Sequence, residues 1–114
     1  MKTTSVIISL SPLKTLRVAE ALRMSVGLTL CGDRVQVLFM ADGVYALLNT
    51  KPGKIGMPEY SRHIETLKQL NHRLFVEQEA LDERTINEIR PEAEIVSRAD
   101  LARLLLASDC VIRY

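Results

Sequence analysis

The sequence predicts a three-layer α/β/α fold on a mainly parallel five-stranded sheet. Three observations carry this reading. Several short apolar segments recur along the 114 residues, and the first is continuous rather than alternating, the pattern of a strand buried on both faces. Stretches of helical period lie between them, the alternation that βαβ units produce. The links are short except at residues 49–58, so successive elements pack against one another.

Residues 4–10 are β-branched and apolar, and Ser11-Pro12 supplies a helix cap and a first-turn proline. A helix over 13–30 follows, with Val18, Ala21, Leu22, Ser25 and Leu28 on one side and Arg17, Glu20 and Arg23 on the other. Gly32-Asp33 closes it. The segment 35–48 is the best-defined landmark. It reads as a strand from Val35 to Met40, a sharp turn at Ala41-Asp42-Gly43, and a short helical turn over 44–48.

Two prolines and two glycines make 49–58 an irregular loop. Residues 59–70 regain helical spacing through Tyr60, Ile64 and Leu67, and Asn71-His72 ends it. A third strand is expected at 73–76, then a helix over 77–88 with Ala80, Leu81 and Ile86 inward, stopped by Pro91. A fourth strand over 93–96 leads to Ser97-Arg98-Ala99-Asp100, a capping box of the Ser-x-x-Asp kind. Leu101, Leu104, Leu105 and Ser108 form a helical stripe, and 109–114 is the last strand. The whole chain, 1–114, reads as one domain, with no internal repeat.

Composition narrows the function classes. Fifteen basic and 14 acidic side chains leave a net charge of +1, which gives no footprint for nucleic acid or an anionic membrane. Aromatic residues are 4% of the chain and Trp is absent, so a base-stacking platform is not expected. So small a net charge does little to keep copies apart, and association is expected. The first apolar run is too short for a signal peptide or a membrane span, so the expected location is the cytoplasm, with both thiols reduced.

In a sheet of this kind ligands bind beyond the carboxyl ends of the strands. The expected pocket edge therefore comprises Ser9, Ser11, Asp42, Gly43, Glu77 and Ser97. Each also has a purely structural reading. Asp42-Gly43 makes a turn with a capping carboxylate. Glu77 and Glu79 suit a helix start, and an acid–base carboxylate pair is the rarer alternative. Ser9 and Ser11 lack a nucleophile-elbow context. His63 and His72 have no metal-ligand spacing to each other or to Cys31 and Cys110, so no metal and no cofactor are expected. The segment Lys51-Pro52-Gly53-Lys54-Ile55-Gly56 matches no phosphate-loop pattern and reads as a solvated loop. Cys110, on a strand beside Val111 and Ile112, reads as a buried structural thiol, with Cys31 the more accessible of the two.

Several landmarks together resemble the DsrE/DsrF/DsrH family of sulfur-relay proteins, which includes the TusB, TusC and TusD subunits. They are residues 6–12, the Ala-Asp-Gly-Val centre of 35–48, the segment 74–86 with its Ala-Leu-x-x-Arg-x-Ile, and the ending Ser-Asp-Cys-Val-Ile-Arg-Tyr. The resemblance spans nearly the whole chain and implies a DsrE-like domain of flavodoxin-like appearance. In the active subunits a cysteine after the third strand carries sulfane sulfur as a persulfide. The matching position here is Glu77, and no cysteine lies between Cys31 and Cys110. The family's usual glycine after the arginine is Thr85.

These features imply a DsrE-family subunit that is non-catalytic by itself and supports sulfur oxidation or a tRNA-thiolation relay through protein contacts. Its partners would be a second copy, other DsrE-family subunits, or a sulfur-carrier protein. One alternative makes Cys31 or Cys110 a persulfide acceptor. Another makes the chain a small-ligand module, against which the lack of a glycine-rich phosphate turn argues.

Overall fold

The structure, a computed structural model, describes residues 2–11, 17–32, 34–48 and 61–113. Five strands form one sheet: β1 (Thr3–Ile8), β2 (Arg34–Phe39), β3 (Arg73–Glu77), β4 (Ala93–Val96) and β5 (Cys110–Arg113). Their order is β4-β3-β2-β1-β5, and every pairing is parallel. The expected mainly parallel sheet is thus parallel throughout. Among the described residues, four α-helices connect the strands: α1 (Arg17–Leu28), α2 (Ser61–Gln69), α3 (Gln78–Glu83) and α4 (Arg98–Leu106).

The two faces are covered unequally. Side chains alternate across a strand, so Val37 and Phe39 face away from Leu38, and Leu74 and Val76 away from Phe75. The first set meets α1, α2 and α3 in one continuous core. Val18, Ala21, Leu22 and Ser25 bury the expected stripe of α1, and Ile64 and Leu67 that of α2. Each large aliphatic side chain so buried contributes roughly 1.5–3 kcal/mol. The opposite face is covered by α4, through Leu101 against Leu38 and Phe75.

A polar lock fixes the far end of α4 to this second face. Gln36 Nε2 donates to Ser5 Oγ at 2.7 Å and to Ser108 Oγ at 3.2 Å, while Ser108 Oγ donates to the Leu104 carbonyl at 2.8 Å. The Ser5 and Ser108 hydroxyls also bond each other. Ser5 and Gln36 are buried, and this network satisfies groups that would otherwise cost stability. Asp109 then seats β5, accepting from Thr3 N–H through Oδ2 at 2.7 Å and donating its own N–H to Thr3 O at 2.9 Å.

Several expectations need correction. The turn at 41–43 and the helical turn after it are one 3-10 helix, Ala41–Leu47. Glu77 is the last residue of β3 rather than the first of a helix. The helix expected over 77–88 ends at Glu83, because the chain turns into the left-handed region at Thr85, φ +52°. There Ile86 N–H bonds Leu81 O at 3.0 Å and Thr85 N–H bonds Asp82 O at 3.2 Å, the paired bonds of a Schellman cap. Asn71, at φ +64°, closes α2 with the same pair of bonds from His72 and Asn71. Cys110 is exposed rather than buried, at the start of β5, the strand at the end of the sheet order.

Candidate functional site

A parallel sheet brings all carboxyl ends to one edge, so β1, β2, β3 and β4 deliver Ser9, the Asp42 turn, Glu77 and Ser97 to the same side of the molecule. The turn is held tightly against β1. Met40 N–H donates to Ile8 O at 3.0 Å, and Gly43 N–H donates to Met40 O at 2.9 Å. A Cβ at Gly43 would collide with the Ile8 carbonyl, lying 2.6 Å from its carbon and 3.1 Å from Ser9 N. The glycine at this position is therefore required by close backbone approach. Ser9, whose backbone borders this contact, is half-buried, and Ser11 is buried.

The 3-10 helix aims Asp42 across to the end of α3. Arg84 donates to Asp42 Oδ1 through Nη2 at 2.9 Å and Nε at 3.2 Å, and its Nη1 bonds Ala80 O at 3.2 Å. The Asp42 hydrogen bond raises the Arg84 pKa above the ordinary arginine value, against a smaller opposing effect of burial. Asp42 is thus an ion-pair partner in the structure.

Glu77 is 3% exposed. Arg98 Nε donates to its Oε2 at 2.8 Å, and Nη2 lies 3.5 Å from Oε1. That hydrogen bond, followed by charge attraction to the same carboxylate, raises the Arg98 pKa well above its ordinary value. The Glu79 carboxylate accepts the Arg98 backbone N–H through both oxygens, at 2.9 and 3.1 Å. Ser97 Oγ accepts from Asp100 N–H at 3.1 Å, as the capping-box spacing implied. Asp100 itself pairs with Arg103 at 2.8 Å.

Glu83 joins the two arginines, at 3.6 Å from Arg84 and 3.4 Å from Arg98. The result is a chain of ion pairs, Asp42–Arg84–Glu83–Arg98–Glu77, running from the 3-10 helix across α3 to the start of α4. Sequence reasoning named Asp42 and Glu77 but missed Arg84 and Arg98. The register of β3 against β4, which sets Glu77 beside Val96, is what carries Arg98 to Glu77. A basic residue just past the fourth strand, with a buried acid ending the third, is the signal that would have found the pair.

The cysteines stand elsewhere. Cys31 closes the 3-10 stretch Thr29–Cys31 that leads into β2, and Cys110 begins β5 opposite Thr4. Both positions belong to the amino-terminal edge of the sheet, away from Asp42 and Glu77. His72, half-buried, accepts Val35 N–H on Nδ1 at 3.0 Å and so helps seat β2. Among the described residues, no group of three His, Cys, Asp or Glu side chains is arranged to hold a metal ion. Among them too, no helix is long and apolar enough to cross a membrane. The segment Lys51–Gly56, and the rest of the loop at 49–58, lie outside the described residues.

Among the solved structures that share this architecture are two from microbial sources. The ychN protein from E. coli is 22% identical, with a TM-score of 0.88 and 100% of both chains covered. MTH1491 from Methanobacterium thermoautotrophicum, a protein of unknown function, is 17% identical with a TM-score of 0.70, covering 98% of this chain and 97% of its own. At such identities the likeness speaks for the fold alone. No curated protein sequence matches the chain. A model of the DsrE/DsrF-like family matches residues 2–114, so the Ala-Asp-Gly-Val turn and the Arg84 segment sit in the setting that the sequence resemblance implied: the chain belongs to the DsrE/DsrF-like family.

Proposed function

We propose that this protein is a DsrE-family subunit that does not itself carry sulfur and supports intracellular sulfur transfer through protein contacts. One observation carries the reading. Position 77, which the resemblance matches to the family's persulfide-bearing cysteine, is a buried carboxylate engaged by Arg98. A carboxylate has no sulfur to form a persulfide bond, and this one is committed to an internal ion pair. The ion-pair chain ties the 3-10 helix, α3 and α4 together at the carboxyl edge, which suits a fixed docking surface. Partners in this reading are DsrE-family subunits or a persulfide carrier.

The test combines association with mass. The chain is mixed with a DsrE-type subunit or persulfide carrier and resolved by size, and separately incubated with a persulfide donor and weighed intact. Complex formation with no stable sulfur adduct is the expected result. Failure to associate with any such carrier overturns the contact role. The exposure of Cys110 favours one second reading, a sulfurtransferase using that thiol, with Cys31 as the other candidate. Added sulfur mass that disappears in Cys110→Ser or Cys31→Ser would establish it.

A further inference from the structure

Val35 opens the fully buried part of β2, and its backbone N–H has a side chain for a partner: His72 Nδ1 accepts it at 3.0 Å. Arg34 N–H donates to the Lys2 carbonyl, on the β1 side. Backbone groups of successive residues leave a strand on alternate sides, so Val35 N–H is directed toward β3. There the ladder starts with Gln36 opposite Arg73. The chain before Arg73 turns at Asn71, φ +64°, to close α2, and His72 gives its own N–H to the Leu67 carbonyl at 3.0 Å. The imidazole supplies the acceptor at this end of β2 and lengthens the ladder by one bond.

A backbone N–H can only donate, so Nδ1 carries a lone pair, the ring hydrogen sits on Nε2, and the imidazole is neutral. A proton taken from solvent onto that lone pair turns Nδ1 into a donor. It then opposes Val35 N–H, and a buried donor loses its acceptor. The half-buried ring is open to that proton. The elements that meet at the ring offer the imidazolium no counter-charge. β2 brings Arg34, α2 brings Lys68, β3 brings Arg73, and Lys2 precedes β1. Of the nearby carboxylates, Glu94 pairs with Arg73, and Glu65 and Glu92 pair with Arg90. Among the described residues, no carboxylate stands within ion-pair distance of the ring.

We propose that His72 is a pH-sensitive latch on the amino end of β2. The neutral ring ties Val35 to the link between α2 and β3, and the protonated ring releases it. The segment set free is the entry to β2, which follows the 3-10 stretch Thr29–Cys31. Histidine is the side chain that ordinarily changes charge within about pH 5–8, so the latch answers to mild acid, above the range in which carboxylates titrate. This device goes beyond the sulfur-transfer reading and does not depend on it.

Nitrogen NMR of the histidine rings and amide exchange test the latch on the unmodified chain. At about pH 7.5 the His72 ring is expected to carry its hydrogen on Nε2 alone. Exchange at Val35, corrected for the intrinsic effect of pH, is expected to speed up about tenfold between about pH 7.5 and about pH 5.5. His72→Asn keeps an acceptor, Oδ1, and cannot titrate in this range, so Val35 stays protected throughout. His72→Leu removes the acceptor and shows the fast exchange already at about pH 7.5. His63→Gln, at the other histidine of the chain, leaves the pH course unchanged. Hydrogen on Nδ1 at neutral pH overturns the latch, whether or not the chain binds a persulfide carrier. So does Val35 protection that is constant across the range, or a pH course that survives in His72→Asn.

Discussion

Arg98 Nε donates to Glu77 Oε2 at 2.8 Å, joining the last residue of β3 to the first of α4 across 21 positions of sequence. The partners are unequal. The Glu77 side chain is 5% exposed and that of Arg98 is 56% exposed. The carboxylate has lost its water and depends on the guanidinium, whereas the guanidinium keeps solvent and a second contact to Glu83. Removing one partner of such a pair costs most when the other is left charged and buried.

An asymmetric mutant cycle follows. Arg98→Met strands the Glu77 carboxylate and is expected to destabilise the fold more than Glu77→Gln, which keeps a neutral hydrogen-bond partner in place. The double variant Glu77→Gln/Arg98→Met is expected to recover part of the Arg98→Met loss. Urea unfolding of the three variants measures this. Equal losses in the two single variants would show that the pair acts as an ordinary surface contact.

A second prediction concerns the end of α3. Thr85 is β-branched and sits at φ +52° in the C′ position of a Schellman cap, where glycine is the usual residue. An L side chain there costs roughly 1–2 kcal/mol, part of which glycine returns through its freer unfolded chain. Thr85→Gly is therefore expected to stabilise the protein by about 1 kcal/mol, read from the urea midpoint at unchanged slope. Thr85→Ala, which keeps the strained Cβ, should gain far less.

The same residue marks where the sequence was legible and where it was not. Short apolar segments mark the strands: β4 lies at the predicted residues, and β2 begins and ends one residue earlier than predicted. The spacing of Ala80, Leu81 and Ile86 predicts a helix over 77–88, longer than the observed α3, because Thr85 carries no breaker signal of its own. Only its standing where the family has glycine marks the left-handed turn. The exposure of Cys110 was missed for another reason. Whether an apolar strand is covered depends on its place in the sheet, and β5 stands at the margin beside β1. Asp42 and Glu77 were recognisable as special by their place at strand ends. Their partners Arg84 and Arg98 were not, since each lies tens of residues away and is delivered by sheet register.

Gly43 carries a third prediction. Its constraint is steric, since a Cβ would meet the Ile8 carbonyl, a backbone group already accepting from Met40 N–H. Neither neighbour has a flexible end that can withdraw. Gly43→Ala is expected to cost about 3 kcal/mol or more and to loosen the adjacent Asp42–Arg84 pair. Thermal unfolding gives the first quantity. Faster amide exchange at 41–47 gives the second. A loss below about 1 kcal/mol would show that β1 and the turn can part without consequence.

The acid limb of stability supplies a fourth prediction. Glu92 is held below its ordinary pKa of 4.5, chiefly by its hydrogen bond from Arg90, and Glu94 likewise by Arg73. A carboxyl group with a lowered folded pKa contributes stability that is complete above its unfolded value and is lost as pH falls through the folded value. The Glu92 contribution is therefore present at neutral pH and disappears below about pH 4.5. Arg90 is 15% exposed on its side chain, and its backbone N–H also bonds Leu47 O at 2.8 Å, fastening the end of the 3-10 helix to the entry of β4. Arg90→Met keeps that backbone bond and the aliphatic stem while deleting the charge. It is expected to cost about 1 kcal/mol at pH 7, with the gap to wild type closing as pH falls below 4.5. Arg73→Met should show the same sign with a smaller gap, because Arg73 and Glu94 are about half exposed and screened by water. Urea titrations at a series of pH values decide the matter. A gap that stays constant into acid would mean that Arg90 acts through packing rather than through its charge on Glu92.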